Sequence, residues 1–270
     1  EPLLRAEQGG IPYKIIYLFE PTLIQYPDTN LRHLQFVYHS ILALNKTFAT
    51  HKKSVDVFYG EAIDVMEHLK LHFDIKEIFS YQESGTQITW ERDKMITAFC
   101  KKHTILWSES QRDGIIRGIK TRTDWNKRWH EVMHRPIIQN EYSISEVEAF
   151  EHPFSLPEKL KLDLNDYPKL FQPAGEQNAW RYLKSFGAKR GFNYQRHISK
   201  PSESRVSCSR SSPYLAWGNL SVKQIFHFIG THPNGKKNDN AFSAMLTRLH
   251  WHCHFIQKFE VECRYETDCI

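Results

Sequence analysis

Four short apolar runs separated by helical patterns fill the first 110 residues, and this alternation constrains the fold more than any other feature of the chain. Residues 14–19 (KIIYLF), 55–59 (VDVFY), 77–81 (EIFSY) and 104–107 (TILW) read as strands, rich in β-branched and aromatic side chains. Between them, residues 31–48 carry Leu34, Val37, Ile41, Leu44 and Phe48 at helical spacing. Residues 61–73 carry Ile63, Met66 and Leu69 in the same way, and residues 92–101 read as a third helix. Crossovers that hold a helix join parallel strands, so the pattern predicts an α/β unit with a parallel sheet covered on both faces. The chain has neither GxGxxG nor GxxxxGK[ST], which removes the dinucleotide fingerprint and the nucleotide-triphosphate loop. Ligands of such a sheet gather at the carboxyl ends of its strands. Here those ends are the loops near Glu20, Gly60 and residues 82–84, where no side chain specifies a ligand.

The pattern then changes. Residues 108–178 read as a connector, with Gly114, Gly118 and a basic aromatic stretch at 120–129 (KTRTDWNKRW). Pro136, Pro153, Pro157, Pro168 and Pro173 follow, and they oppose long helices. From Glu176 onward the spacing is helical. A helix over 179–186 ends at Gly187. Ser221 and Gln224 have capping-box spacing ahead of Val222, Ile225, Phe226 and Ile229. A long helix is expected from an N-cap at Asn240 to about Glu266, with Phe242, Met245, Leu246, Leu249, Ile256 and Phe259 as its core stripe. Ala244, Arg248, Trp251 and Phe255 fall on an adjoining face. Two readings of Trp251 stay open: it widens the core stripe, or it meets a ligand.

With 270 residues, 40% hydrophobic and 25% charged, the chain can bury one large or two ordinary cores. No run approaches the roughly 18–20 apolar residues of a membrane helix. The chain opens at Glu1 in the middle of a pattern and reads as a fragment or a trimmed piece. Its net charge of +5 is uneven: 19 basic against 20 acidic residues over 1–150, but 17 against 11 over 151–270. A basic second half fits a polyanion, and a merely solvated basic face fits it as well. The five cysteines (100, 208, 253, 263, 269) include no CxxC pair, so a reduced, cytoplasmic protein is expected.

Two segments in the second half carry chemistry. Residues 207–219 (SCSRSSPYLAWGN) gather hydroxyls, a thiol and an Arg just ahead of an apolar helix start, which suits a phosphate or pyrophosphate. Residues 248–257 (RLHWHCHFIQ) set Trp251 among basic and imidazole side chains, which suits a flat π-system or a nucleic-acid strand. A zinc reading uses His250 and His254, which share a helix face at i,i+4. His252 points elsewhere and Cys253 completes no set, so satisfied or exposed histidines are preferred and no metal is expected.

Together the two segments resemble the flavin-binding domain of the DNA photolyase/cryptochrome family, and the resemblance extends over nearly the whole chain. Residues 209–215 (SRSSPYL) are similar to the family's TSRLSPYL flavin-phosphate loop, and residues from 248 onward to the helix that runs along the flavin and faces the lesion. Residues 111–129 are similar to the connector of a bacterial branch, and residues 175–182 resemble the entry to the FAD domain. The implied fold is α/β then all-α. A Rossmann-like antenna domain spans 1–110 and is N-terminally incomplete. An interdomain connector spans 111–175. The start of a helical FAD-binding domain spans 176–270 and is C-terminally incomplete. A first strand with a WFRRDLR-like sequence is expected ahead of Glu1. Helices bearing flavin-ring contacts and electron-relay tryptophans are expected after Ile270.

By this resemblance, Tyr194 contacts the phosphate side of FAD, and Cys208, Ser209, Arg210, Ser211 and Ser212 form the loop that holds its pyrophosphate. Cys208 stands where Thr is usual and keeps its backbone N–H as a donor. Ser211 stands where Leu is usual, forgoing about 1.5–3 kcal/mol of apolar burial if the position is buried. Arg248, Trp251, His252 and Phe255 are implied at the DNA lesion, with Trp251 packed against an extruded pyrimidine dimer. His252 stands where many relatives have Arg. Arg248 stands where an acidic or amide residue is common, and a guanidinium cannot accept a hydrogen bond. The implied activity is that of a deoxyribodipyrimidine photo-lyase: blue light, reduced FAD and one electron split a cyclobutane dimer flipped out of damaged DNA. Phosphate contacts from the basic half would add salt-dependent affinity. The alternatives are a cryptochrome-type photoreceptor and a nucleic-acid-binding remnant without flavin. The 270 residues alone are expected to bind FAD weakly or not at all. A second antenna chromophore, a folate or a deazaflavin, is implied without a residue that identifies it. A monomer with no membrane attachment completes the expectation.

Overall fold

A computed structural model of the chain describes residues 1–235 and 239–268. In chain order its elements are α1 (Pro2–Gln8), β1 (Ile15–Phe19), α2 (Pro21–Ile24), α3 (Leu31–Phe48), β2 (Val55–Tyr59), α4 (Ala62–His72), β3 (Glu77–Tyr81), α5 (Gln87–His103) and β4 (Leu106–Ser110). Then come α6 (Trp125–Met133), α7 (Glu158–Asn165), α8 (Glu176–Ala188), α9 (Tyr194–His197), α10 (Pro201–Ser207), α11 (Ser212–Ala216), α12 (Val222–Gly230) and α13 (Asp239–Val261). They form two compact units. The first joins Glu1–Ser110 to Ile138–Pro173, and the second joins Gln111–Ile137 to Ala174–Ile270. The stretch expected as a connector over 111–175 is therefore divided between the two.

In the first unit all strand pairing is parallel, as the crossovers require. Ile15–Phe19 pair in register with Val55–Tyr59, and Glu77–Tyr81 with Leu106–Ser110. The pairs form two separate two-stranded ladders, where the sequence suggested one sheet. Helix α5 begins five residues earlier than expected. It runs to His103 and closes on Thr104 in the left-handed region (φ 57°), which displaces β4 toward Ser110. One core cluster gathers Phe58, Val65, Leu69, Ile96 and Phe99; another gathers Phe19, Val37, Ile41, Phe48 and Leu164. Residues 138–173 run over this unit as a strap. Gln35 donates to the carbonyls of Asp163 and Asp166 (both 2.8 Å), which holds α7 against α3 and buries Leu164 completely. Tyr59 donates its N–H to Phe154 (2.8 Å). Beside it, a Cβ on Gly60 would lie 2.7 Å from the Phe154 ring, so the strap's path requires glycine there.

The second unit is helical. Gly175 opens α8 at φ 96°, a conformation that favours glycine, and its N–H reaches Asn219 Oδ1 (3.1 Å). The capping box on α12 forms as its spacing predicts, with Ser221 and Gln224 each bonding the other's backbone. On α13 three expectations are corrected. Asn240 lies inside the helix rather than capping it, and the helix ends at Val261 rather than near Glu266. Ile256 and Phe259 are only half-buried, while Cys253 and Gln257 take the buried positions below Leu249. Gln257 is fully buried because its amide is satisfied at both ends. It accepts from Ile116 N–H (2.7 Å) and donates to Ile116 C=O (2.9 Å). Trp125, Trp129 and Met133 bury the inner face of α6. Trp129 leaves no room at Gly114, where a Cβ would come within 2.1 Å of its ring.

Among the described residues the cysteines are free, and no helix is long and apolar enough to cross a membrane. Cys269 lies outside the described residues.

Candidate functional site

Residues 207–212 sit between the end of α10 and the start of α11, and their conformation is set by an Arg that the sequence reading passed over. The Arg190 guanidinium donates to the carbonyls of Tyr182 (2.8 Å), Val206 (2.9 Å), Ser209 (3.2 Å) and Cys208. Its Nε donates to Ser185 Oγ (3.0 Å). No carboxylate takes part in this set of Arg190 bonds. Burial pushes the Arg190 pKa down, with Arg210 adding to the effect. The signal was present in the sequence as eight basic residues against one Glu over 181–210, but not which of them turns inward.

Arg210 adopts φ 63° and Ser211 follows in the right-handed helical region. A left-handed then right-handed pair of this kind turns successive N–H groups toward one side, the arrangement of an anion-binding nest. Ser209 and Ser211 are buried, with Ser209 Oγ accepting from Ser211 N–H (3.4 Å). Ser212 is exposed. Ser211 thus does occupy a buried position, where the apolar burial is forgone. One expectation is corrected here: the Cys208 N–H is already bonded to Ser204 C=O (2.9 Å) and is not free for a ligand. A second concerns α11, which has only five residues and so contributes little dipole. Any charge on a bound anion must be met chiefly by the loop and its guanidiniums.

Burial raises the Cys208 thiol pKa, and Arg190, Arg210 and Arg248 all act to lower it. Arg190 holds the loop through its hydrogen bonds and Arg210 lies within it. Tyr194, the first residue of α9, is buried and meets Phe186 edge-on at 5.4 Å. Burial first, then Cys208, pushes its phenol up to about 12, while Arg248 pulls it down.

On α13 the predicted residues separate by face. Arg248, Trp251 and Phe255 are exposed. Arg248 lies over the Trp251 ring at 4.4 Å, and Trp251 meets Phe255 edge-on at 6.5 Å. With 44% of Trp251 accessible, it does not widen the core stripe of α13. His252 turns away from them. It is half-buried, and its pKa is lowered by burial, with Asp113 opposing and Arg112 adding. Arg112 itself donates to the carbonyls of Leu215 (3.2 Å) and Ala216 (3.0 Å), and Asp113 accepts from Val222 N–H (3.1 Å). These two residues tie the end of α11 to the start of α12, a contact across about a hundred residues that local spacing does not signal.

In the first unit the carboxyl ends of β1 and β3 are occupied by an ion cluster. Arg92 pairs with Glu20 (3.0 Å), Glu83 (2.6 Å) and Asp93 (3.0 Å), and Glu20 also accepts from Ala62 N–H (3.2 Å). Burial raises the Glu20 pKa, with Arg92 opposing.

An α/β unit with parallel strand pairs, followed by a helical unit with a cationic loop and an exposed aromatic helix face, defines the class. Comparison with solved structures gives it a name: the chain has the photolyase/cryptochrome fold. It is similar to an archaeal photolyase from Sulfolobus tokodaii, a structure with two FAD molecules (TM-score 0.71, 18% identity, 99% of this chain and 58% of that one). It is similar to a Synechocystis cryptochrome (TM-score 0.74, 15% identity, 96% of this chain and 58% of that one). It is also similar to a class III photolyase from Agrobacterium tumefaciens (TM-score 0.73, 14% identity, 99% of this chain and 57% of that one). The chain thus spans less than three-fifths of the length of these neighbours. No family model and no curated protein matches it.

Proposed function

We propose that this chain serves in a light-driven DNA-repair flavoprotein, contributing the FAD-phosphate loop and part of the face that meets a cyclobutane pyrimidine dimer. The observation that carries the reading is a loop at 207–212 clamped by the Arg190 guanidinium, with Arg210 in the left-handed region, in the same unit as an exposed Trp251 that lies under Arg248. The groups that would meet a pyrophosphate are the backbone nest at Arg210–Ser211 and the exposed Ser212, on a loop that Arg190 clamps from behind. Bound and reduced, FAD would supply a photoexcited one-electron donor. The chain's own residues hold its phosphates and keep the loop rigid through Arg190. On α13, Trp251 and Phe255 offer flat apolar surface to an extruded base, and Arg248 keeps a positive charge at its edge. A folate or deazaflavin antenna and a monomeric, cytoplasmic protein belong to the same proposal.

Titration of the purified chain with FAD, followed by quenching of flavin fluorescence, tests the loop. Weak saturable binding is expected, and Arg210→Ala should weaken it about tenfold or more, the loss of one charge-assisted bond of about 1.5–3 kcal/mol. An affinity indifferent to this change would remove the loop from the flavin site. Blue light on the flavin-loaded protein with dimer-bearing oligonucleotide tests repair, read as recovery of thymine absorbance. Flavin binding without repair favours the photoreceptor reading, and nucleic-acid binding without flavin favours the remnant.

A further inference from the structure

Four imidazoles form a row across α6 and α13. His134 and His130 lie one turn apart on α6, with ring centroids 6.3 Å apart, and His130 stacks toward His250 of α13 at 6.2 Å. His250 in turn stacks toward His254 at 6.4 Å. We propose that this row is a proton-coupled site for the phosphodiester backbone of a nucleic acid, with affinity that rises as pH falls. The inference rests on the nucleic-acid half of the reading above and adds a regulation to it.

The hydrogen bonds show which ring nitrogens are engaged. His134 Nδ1 lies 2.7 Å from the His130 carbonyl, so it carries the proton and leaves Nε2 open. His250 Nε2 lies 2.8 Å from Asn126 Oδ1, and with that nitrogen donating, Nδ1 is open. Arg122 Nη1 lies 3.3 Å from Nδ1 and 3.1 Å from Nε2 of His254, so a cation stands against this ring. Protonating His254 would set two cations against each other and drive the Arg122 guanidinium away. The neighbours of His250 and His254 favour the neutral form of those two rings. Around the rings stand Trp125, Trp129 and Asn126 of α6, Phe226 of α12, Phe255 and Lys258 of α13, and Arg122 ahead of α6. The charged ones are cations. Asp124 and Glu131, the carboxylates of this stretch, form no ion pair with any of the four rings among the described residues. Burial, with the other imidazoles, lowers the His250 pKa; burial, with Arg122 and Lys258, lowers that of His254.

A row of like groups without counter-ions needs an external anion once it is charged. The surface around it points to a nucleic acid. Lys127, Arg128 and Arg135 are exposed on or just after α6, and Trp251 and Phe255 are exposed on the adjoining face of α13 for base stacking. No group of three or more ligating side chains among the described residues is placed to hold a metal ion.

The test is anisotropy of a labelled, undamaged oligonucleotide with the chain, without flavin or light, from about pH 8 to about pH 5.5 at fixed ionic strength. Affinity should rise about tenfold or more. The triple variant His130→Gln, His250→Gln, His254→Gln should lose the rise between about pH 8 and about pH 5.5. His130→Lys, at an exposed position, should bind more tightly near pH 8 and with a shallower rise. A wild-type affinity flat with pH overturns the proposal, and so does a rise that persists in the triple variant. A rise abolished by EDTA would mean a metal site instead. An equal acid-enhanced affinity for anionic phospholipid vesicles would overturn the nucleic acid as occupant. Because flavin is absent, these results are independent of the FAD titration.

Discussion

At the scale of single residues, the fold depends on close approaches that allow little substitution. Gly114 is the clearest: its missing Cβ makes room for the Trp129 ring, and its carbonyl accepts from Trp125 Nε1 (2.8 Å). Gly114→Ala is expected to destabilise the second unit by about 1–3 kcal/mol through overpacking, seen as a lower denaturation midpoint at unchanged m-value. Arg190 acts on the loop differently, by drawing the carbonyls of Tyr182, Val206, Cys208 and Ser209 onto one guanidinium. Arg190→Met should lower FAD affinity at least as much as Arg210→Ala, although Arg190 touches no ligand. Arg190→Lys should restore only part of it, because an ammonium cannot reproduce the planar fork. Equal affinities for wild type and Arg190→Met would show that the loop holds its shape without the clamp.

At the scale of elements, capping and burial decide where helices begin, end and face. Ser221 accepts from Gln224 N–H (3.1 Å), and Ser221→Ala should cost about 1 kcal/mol, visible in thermal unfolding. Helix α13 presents a different problem. Its buried line passes through Phe242, Met245, Leu249, Cys253 and Gln257, two of which are not strongly apolar. Gln257→Leu keeps the volume but strands the N–H and C=O of Ile116. It should therefore destabilise by about 1–3 kcal/mol in spite of added hydrophobicity. A neutral or stabilising outcome in chemical denaturation would mean that these backbone groups find water.

At the scale of the whole molecule, charge and protonation dominate. His250, His252 and His254 all have folded pKa values below that of free histidine. Between the folded values and about 6.5 the unfolded chain binds more protons, so stability rises with pH across that window. Their contribution is complete above about pH 6.5 and is lost as pH falls toward the folded values. Thermal melts should show a midpoint that drops below that pH, and added oligonucleotide should offset the drop if the imidazole row takes phosphate. A melting temperature level from about pH 7 to about pH 5.5 would contradict the linkage.

Local chemistry was legible in the sequence. Residues 31–48, 55–59 and 77–81 matched their elements, and the capping box formed where its spacing put it, because periodicity and caps are properties of neighbouring residues. The cationic loop at 207–212 was legible as composition, and the family-like fold through its motifs. Tertiary structure alone decided which strand edges meet, giving two ladders where one sheet was expected, since alternation reports a strand's faces and not its partners. It alone turned Arg190 inward, buried Gln257 on the backbone of Ile116 and aligned four imidazoles from two helices. Each of these joins groups distant in the chain, and a buried polar group is stable only where a remote partner satisfies it.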